Sequence, residues 1–600
     1  MLNDNRQKLF LFFIRPTETH EAFANFVEAQ GIPILRVYPS EEFAINKNQC
    51  YIAAASLIDY ERLVEWALSS TPTSFGGVVH LWDCIPVSQT LESWEEIKKS
   101  QLLGAFSVFH LIRSLQKRHP QGEWKLINVT SYAQKVALES HTIDPTRMPA
   151  LGVNKVASQE MPLVQSLAID ADLSAAIFTS LFKEIFSTEN YAHAVIGYRE
   201  GKRYVQVLSR KNIDSLTERK IAIRKKGVYL IAGGAGYLGL ETARFLAEKE
   251  RVKIVLVGRK SDASLTTKQR MLIQEIEKLG SEVLYLQGDV TNFDSCKNLI
   301  KAIEKKWGAI NGIFVAIKNI SHQRLEVVLF EEFSSNILAK VQGTWLLDAL
   351  TKNMSVDFMA TFSSISSLTA GPTGADCSAS NLFLDSFGDW RNDQGRSTVT
   401  MNYTLIEADD GSLLSDRMSM IPPLSKEEFL GCLDLCLTKD INFAVMADFN
   451  SRVMNLVLPF MKIKFSSDLF NQFQGYKENK PALQKESKTD MTFDEIVIIL
   501  QQIWKDVLGY EEIDTKANFF EIGGESISAV KLLHLANVQL QVHLEISDLY
   551  SYPILKDLAR FISDRLNRKK EQKPLSQLLE DFQSGKIDIN QTAEAYEQIH

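Results

Sequence analysis

Val228-Tyr229-Leu230-Ile231-Ala232-Gly233-Gly234-Ala235-Gly236-Tyr237-Leu238-Gly239 is the stretch that decides the fold. An apolar run suited to a strand passes into a glycine-rich turn and then into Glu241-Thr242-Ala243-Arg244-Phe245-Leu246, a helical composition. Strand, glycine loop and helix in this order are the context of a dinucleotide-binding turn, because glycine lets backbone approach a pyrophosphate and the helix N-terminus favours its charge. Gly233, Gly234, Gly236 and Gly239 are the candidate cofactor-binding positions. The next strand ends in Val257-Gly258-Arg259-Lys260, where Arg259 replaces the acid that would bind a ribose hydroxyl and so favours the extra phosphate of NADP. A third strand ends at Gly288-Asp289-Val290, with Asp289 a candidate adenine contact.

Upstream, Leu9-Phe10-Leu11-Phe12-Phe13-Ile14, Val78-Val79-His80-Leu81-Trp82 and Leu126-Ile127-Asn128-Val129-Thr130 are apolar runs suited to strands buried on both faces. No glycine-rich turn follows the first of them, so this half reads as scaffold rather than cofactor site. Strand-like and helical stretches alternate through both halves, which predicts two parallel-sheet α/β units.

Downstream, Gln474 to Asp490 is polar and almost free of large apolar residues, which reads as a tether. Thr492 and Glu495 then form a capping-box pattern, and Ile496, Ile499, Ile503 and Val507 share one helical face. Phe519-Phe520-Glu521-Ile522-Gly523-Gly524-Glu525-Ser526-Ile527 places one hydroxyl at a helix start, and Leu555, Leu558 and Phe561 mark a last helix. Residues 491–566 thus read as a small helical bundle. After Pro574, an apolar pattern through Leu575, Leu578, Leu579 and Phe582 is a candidate docking element within the tail 567–600.

Composition narrows the class. At 600 residues the chain suggests about four units, and a net charge of −8 argues against nucleic acid as a partner. No apolar stretch approaches the roughly 20 residues that span a bilayer. Met1-Leu2-Asn3-Asp4 does not begin a signal peptide, so a cytoplasmic location is expected. The 6 cysteines lack metal-ligand spacing, so no metal is expected, and Cys432 and Cys436 share a helical face that reads as core.

The Ser526 stretch resembles an acyl carrier protein, which implies a covalent phosphopantetheine on Ser526 holding an acyl chain as a thioester. An α/β unit without the fingerprint, one with it, and then a carrier is the order of a polyketide synthase ketoreductase followed by its carrier. The chain resembles that family over nearly all of residues 1–566. The resemblance implies two Rossmann-like, doubly wound subdomains of short-chain dehydrogenase type followed by an all-α four-helix carrier. Residues 1–215 would be the structural subdomain, 216–473 the catalytic-type NADP-binding subdomain, 474–490 the linker and 491–566 the carrier. It also implies a phosphopantetheinyl transferase and other synthase chains, with ketosynthase and acyltransferase, as partners in trans.

In that family NADPH supplies hydride to a β-ketone, a tyrosine supplies the proton, a serine orients the carbonyl, and a lysine and an asparagine complete the site. Carried over, Ser364 matches the serine, Lys340 the lysine and Asn381 the asparagine, but Cys377 stands where the tyrosine belongs. Tyr237 replaces a loop glycine, and Lys318 replaces the glycine beside the nicotinamide. An inactive or impaired reductase is therefore expected, with a working NADPH-dependent β-ketoacyl reductase as the alternative.

Overall fold

The run Leu9–Ile14 lies inside a sheet because both of its faces are covered. Leu9, Leu11 and Phe13 pack into one core, while Phe10, Phe12 and Ile14 pack into another. The computed structural model describes residues 5–571 except 70–73, 88–90, 92, 120–121, 137–141, 162, 187–194, 220–222, 319–320, 322, 372, 408–419, 459–460, 462, 475–490, 509, 511, 520–521, 523–525, 541, 543 and 545. The tether and most of the C-terminal tail, including its apolar pattern, lie outside the described residues. The chain divides into two compact units, residues 1–451 with 461–473, and 452–460 with 474–600. Both α/β halves therefore belong to one unit.

Strands β1 (Lys8–Phe13), β2 (Ile34–Ser40), β3 (Ala44–Asn46), β4 (Gln49–Ala53), β5 (Ser74–His80), β6 (Trp124–Thr130), β7 (Val164–Ala171), β8 (Val195–Arg199) and β9 (Lys202–Val205) form the first sheet. Its order is β3-β4-β2-β1-β5-β6-β7-β8-β9, parallel except for the edge pairs β3/β4 and β8/β9. A short strand β10 (Val207–Leu208) follows. The second sheet contains β11 (Val228–Ala232), β12 (Lys253–Gly258), β13 (Glu282–Gln287), β14 (Gly312–Val315), β15 (Phe358–Ser364), β16 (Thr398–Tyr403) and β17 (Phe443–Met446), in the order β13-β12-β11-β14-β15-β16-β17. Its neighbours are all parallel. Strand β18 (Lys464–Phe465) returns to pair with β10.

The helices that position the site are α1 (Ser107–Arg118), α2 (Met148–Glu160), α3 (Tyr237–Lys249), α4 (Phe330–Thr351) and α5 (Ala375–Asp393). Leu11 and Phe13 of the first sheet and Leu230 and Val255 of the second belong to the same buried cluster. Phe109 of α1 stacks on Phe333 of α4 with ring centroids 4.3 Å apart. The first half is therefore fused to the second through a common core.

In open α/β sheets a ligand lies where the strand order reverses, outside the carboxyl ends of the strands. In the first sheet that position, between β1 and β5, is filled by Trp82. Its indole is fully buried and donates to the carbonyls of Ile14 at 3.1 Å and Val37 at 3.2 Å, while Arg15 Nε donates to the Trp82 carbonyl at 2.6 Å.

The two halves meet most closely where α2 crosses α5. A Cβ on Gly152 would lie 2.5 Å from Ala379 Cα and 2.6 Å from its N, and neither backbone atom can swing aside. Alanine would otherwise favour a helix interior by about 1 kcal/mol over glycine. Gly152→Ala is expected to reverse that sign and destabilise the α/β unit by about 1–3 kcal/mol, the usual cost of overpacking. Urea unfolding followed by tryptophan fluorescence measures it, and a stabilised variant would contradict the close approach.

Candidate functional site

Glycine is required at the turn after β11 by contacts on either side. Gly233 has φ +81°, and a Cβ there would sit 2.4 Å from the Ala316 carbonyl oxygen, so the turns after β11 and β14 touch. Gly234 would meet Leu256 Cα of β12 at 2.7 Å, and Gly239 the Gly233 carbonyl oxygen at 2.7 Å. Gly236 is the N-cap of α3 and supplies no side-chain cap, which leaves first-turn amides open to an anion. Arg259, just beyond β12, is exposed. Asp289 is half-buried and partly committed to its own turn, where Oδ1 accepts from Thr291 N at 2.9 Å and Thr291 Oγ1 at 2.7 Å. The donor set suits the diphosphate and added phosphate of NADPH.

Tyr237, at the position of a family loop glycine, is the first residue of α3. Its hydroxyl donates to the Glu407 carbonyl at 3.1 Å, so the ring ties the start of α3 to the loop after β16. The preceding Gly236 keeps the backbone accessible and lies in an exposed position.

The structure brings together the residues expected at the reacting end. Lys340, buried in α4, donates from Nζ to Asn381 Oδ1 of α5 at 2.5 Å. Asn381 Nδ2 donates to Cys377 Sγ at 3.2 Å and to Ser366 Oγ at 3.4 Å, and Ser366 Oγ is 3.2 Å from the same sulfur. Ser364, at the end of β15, accepts from Ser366 N at 3.3 Å. The thiol is thus folded back into a polar cluster, and Cys377 is only 8% exposed. Desolvation holds the Lys340 ammonium below the usual lysine range, and nearby Lys318 pushes the same way against the raising influence of Cys377, Asp385 and Asp376. Lys318 itself is exposed at the end of the β14 turn.

Several residues that order this cluster escaped the sequence reading. Asp376 Oδ2 accepts from Asn336 Nδ2 at 2.5 Å and Ser321 N at 2.9 Å, while its Oδ1 accepts from Cys377 N at 2.8 Å. Buried Asp385, pushed up to about 6 by desolvation, accepts from Asn402 Nδ2 at 3.2 Å. Buried Lys155 of the first half, lowered to about 8 by desolvation, donates to the Ser367 carbonyl at 2.5 Å. Apart from the bond between neighbours Asp376 and Cys377, these contacts join positions well separated in sequence, so no local pattern announces them. Ser366 had a readable signal in its spacing from Ser364.

The second unit contains α6 (Phe493–Leu508), α7 (Ser526–Leu540), α8 (Ile546–Ser551) and α9 (Leu555–Glu571). The capping box forms: Glu495 N donates to Thr492 Oγ1 at 3.3 Å, and Thr492 N to Glu495 Oε2 at 2.7 Å. Ile496, Leu500, Ile503 and Trp504 pack with Leu532, Leu549, Leu558 and Ile562 in one core. Ser526 is the first residue of α7; Gly523, Gly524 and Glu525 lie outside the described residues.

Residues 227–408 match the KR domain family, and residues 499–562 match the phosphopantetheine attachment site family. The chain combines a polyketide synthase ketoreductase-type domain with a carrier domain. The carrier is of the type that holds phosphopantetheine covalently. Residues 10–189 match a third family, described as beta-ketoacyl synthase-like, N-terminal. This stretch covers strands β1 to β7 of the first sheet with the helices between them, and its cysteines, Cys50 and Cys84, are buried; burial pushes the Cys50 thiol up to about 12 and raises that of Cys84.

Polyketide synthase PksN of Bacillus subtilis (strain 168) is 26% identical over 476 residues, covering 76% of this chain and 8% of that protein. Polyketide synthase PksM of the same organism is 26% identical over 375 residues, covering 61% and 8%. The chain therefore spans a small part of these relatives. An N-terminal ketoreductase from the macrolactin assembly line superposes with TM-score 0.62 at 20% identity, covering 74% of this chain and 87% of that one. The multidomain structure of a keto acid-selecting NRPS module with adenylation, ketoreductase and pseudo Asub parts gives TM-score 0.66 at 22% identity, covering 74% and 37%. These structures establish the fold of the ketoreductase part. No helix among the described residues is long and apolar enough to cross a membrane.

Arg259 generates a binding prediction. A charge-assisted pair with a phosphate contributes about 1.5–3 kcal/mol, so Arg259→Ala is expected to cost NADPH roughly 10–100-fold in affinity while leaving NADH nearly unchanged. Fluorescence titration with both nucleotides checks this, and an unaltered preference removes the role given to Arg259.

Proposed function

We propose that this chain carries an acyl intermediate as a phosphopantetheine thioester on Ser526, next to a reductase-type domain that reduces a β-ketone poorly or not at all. The carrier reading is supported by the place of Ser526 as the first residue of α7, inside the matched residues 499–562 and directly after Gly523-Gly524-Glu525. A phosphopantetheinyl transferase would install the arm. Ketosynthase and acyltransferase activities of other synthase chains would act on it.

The impaired-reductase reading is supported by one observation: the only side chain at the tyrosine position is a thiol held by Asn381 and Ser366. NADPH bound along the Gly233–Gly239 turn would supply hydride. Ser364 would orient the ketone oxygen, and Lys340 would bring positive charge toward it. The remaining requirement is a proton delivered to that oxygen, and a side chain ending at Sγ inside the cluster does not extend toward it as a phenol does. Absence of a positioned general acid costs on the order of 10²–10⁴ in rate. An active reductase is the second reading, favoured by the retained Lys340–Asn381 contact at 2.5 Å.

Intact-mass measurement tests both parts. With a transferase and coenzyme A, the unaltered chain is expected to gain one arm and Ser526→Ala none; a modified Ser526→Ala would overturn the carrier assignment.

After loading with a β-ketoacyl group, addition of NADPH is expected to leave the mass unchanged over minutes. Cys377→Tyr, combined with Ser366→Ala to make room for the ring, is expected to raise the reduction rate by about 10²-fold or more. Reduction by the unaltered chain at about 1 per second or faster would establish the active alternative.

A further inference from the structure

We infer that Glu160, on the first half, is a positioning residue that locks together the two loops flanking the reductase-type site. Its carboxylate is shared between them: Oε2 accepts from Leu325 N at 2.8 Å, in the loop leading into α4, and Oε1 accepts from Thr373 N at 3.0 Å, in the loop between β15 and α5. The Glu160 backbone carbonyl accepts from Arg324 Nη2 at 3.1 Å, adding a third attachment to the first loop. Lys155 and Gln159, one turn apart on α2, continue the clamp along the second loop, where Lys155 Nζ holds the Ser367 carbonyl at 2.5 Å and Gln159 Nε2 holds the Thr369 carbonyl at 2.7 Å.

The clamped segment needs outside support. Ala370 and Thr373 both have positive φ, +55° and +66°, a conformation that residues with a Cβ adopt at a cost, and Gly371 lies between them at +151°. This segment begins two residues after Ser364 and ends four before Cys377. Its course therefore sets the separation between the carbonyl-orienting serine and the first turn of α5. Glu160 is itself 5% exposed, and desolvation pushes its carboxyl above the usual carboxylate range against the lowering influence of the two backbone N–H groups and Arg324; removing this buried acceptor would leave two N–H groups unpaired, which is costly. The first half, whose own cofactor crevice is filled by Trp82, thus contributes a carboxylate that shapes the site of the second.

Cys377 offers a readout independent of turnover, so failure here would leave the carrier and reductase readings untouched. In the full-length chain, iodoacetamide labelling followed by peptide mass mapping gives the rate at Cys377, with half-buried Cys432 as the internal reference. Removing both charge-assisted acceptors in Glu160→Ala is expected to speed Cys377 labelling by about tenfold or more through local opening, with the Cys432 rate unchanged. Glu160→Gln retains one acceptor oxygen and is expected to fall between the two. Ser386→Ala removes a different bond between the halves, Ser386 Oγ to the Ala133 carbonyl at 2.6 Å, and is expected to leave Cys377 as slow as in the unaltered chain. An unchanged Cys377 rate in both Glu160 variants would overturn the inference. So would a parallel rise at Cys432, or an equal rise in Ser386→Ala. If Glu160→Ala fails to fold, the contrast between Glu160→Gln and Ser386→Ala decides alone.

Discussion

The absence of a side chain at Gly152 is the constraint on which the α/β unit depends. It lets the backbone of α2 touch that of α5 at Ala379, and this contact brings Lys155, Gln159 and Glu160, the last turns of α2, within hydrogen-bond reach of the loops that bear Ser364 and precede Cys377. A wider crossing would leave those polar side chains buried and unpaired, which costs more than the bonds contribute when made. Close packing and polar satisfaction therefore enforce each other. The apolar cluster that includes Leu11 and Leu230 makes the two sheets one folding object around that crossing.

Two sheets of similar winding are put to opposite uses. In the second, the turn after β11 is glycine and its crevice can admit a phosphate. In the first, the corresponding turn runs Ile14-Arg15-Pro16, and the crevice holds an indole whose N–H is shared between the Ile14 carbonyl just past β1 and the Val37 carbonyl within β2. Arg15 then caps the same tryptophan from its carbonyl side. Architecture alone does not assign function; the residues at the switch point do.

What could be read in the sequence was what is local. The apolar run Val228–Ile231 and its glycines specify a strand and a turn with a φ that disfavours other residues, and the thirteen-residue step from Ser364 is what put Cys377 at the tyrosine position the resemblance implies. Thr492 and Glu495 likewise announce a helix start from a spacing of three. The site's supporting contacts were not legible, because Glu160 and Thr373 are 213 positions apart and nothing in either neighbourhood specifies the other. Tyr237 shows the same limit from the opposite side. Its identity at a glycine position was legible, but the bond from its hydroxyl to the Glu407 carbonyl, 170 residues away, was not. Cys436, read as core from its shared face with Cys432, does pack in the buried cluster of the second sheet with Leu433 and Phe429, and the half-buried Cys432 packs against it.

Retention of Lys340 and Asn381 beside a missing tyrosine has a physical explanation that does not require turnover. Lys340 is buried, and its ammonium is already held down by desolvation, so loss of the Asn381 oxygen would leave a buried cation without its nearest acceptor. Breaking such a contact by deleting one partner is strongly destabilising, because the remaining charge stays desolvated. Asn381 is held in turn by Cys377 and Ser366, so its amide is satisfied at both ends. The three groups therefore persist as a folding element whether or not hydride transfer occurs beside them. Position 377 carries no comparable structural demand for a phenol, since a thiol completes the same cluster. Of the residues at this site, the one whose identity reports on chemistry rather than on folding is consequently Cys377.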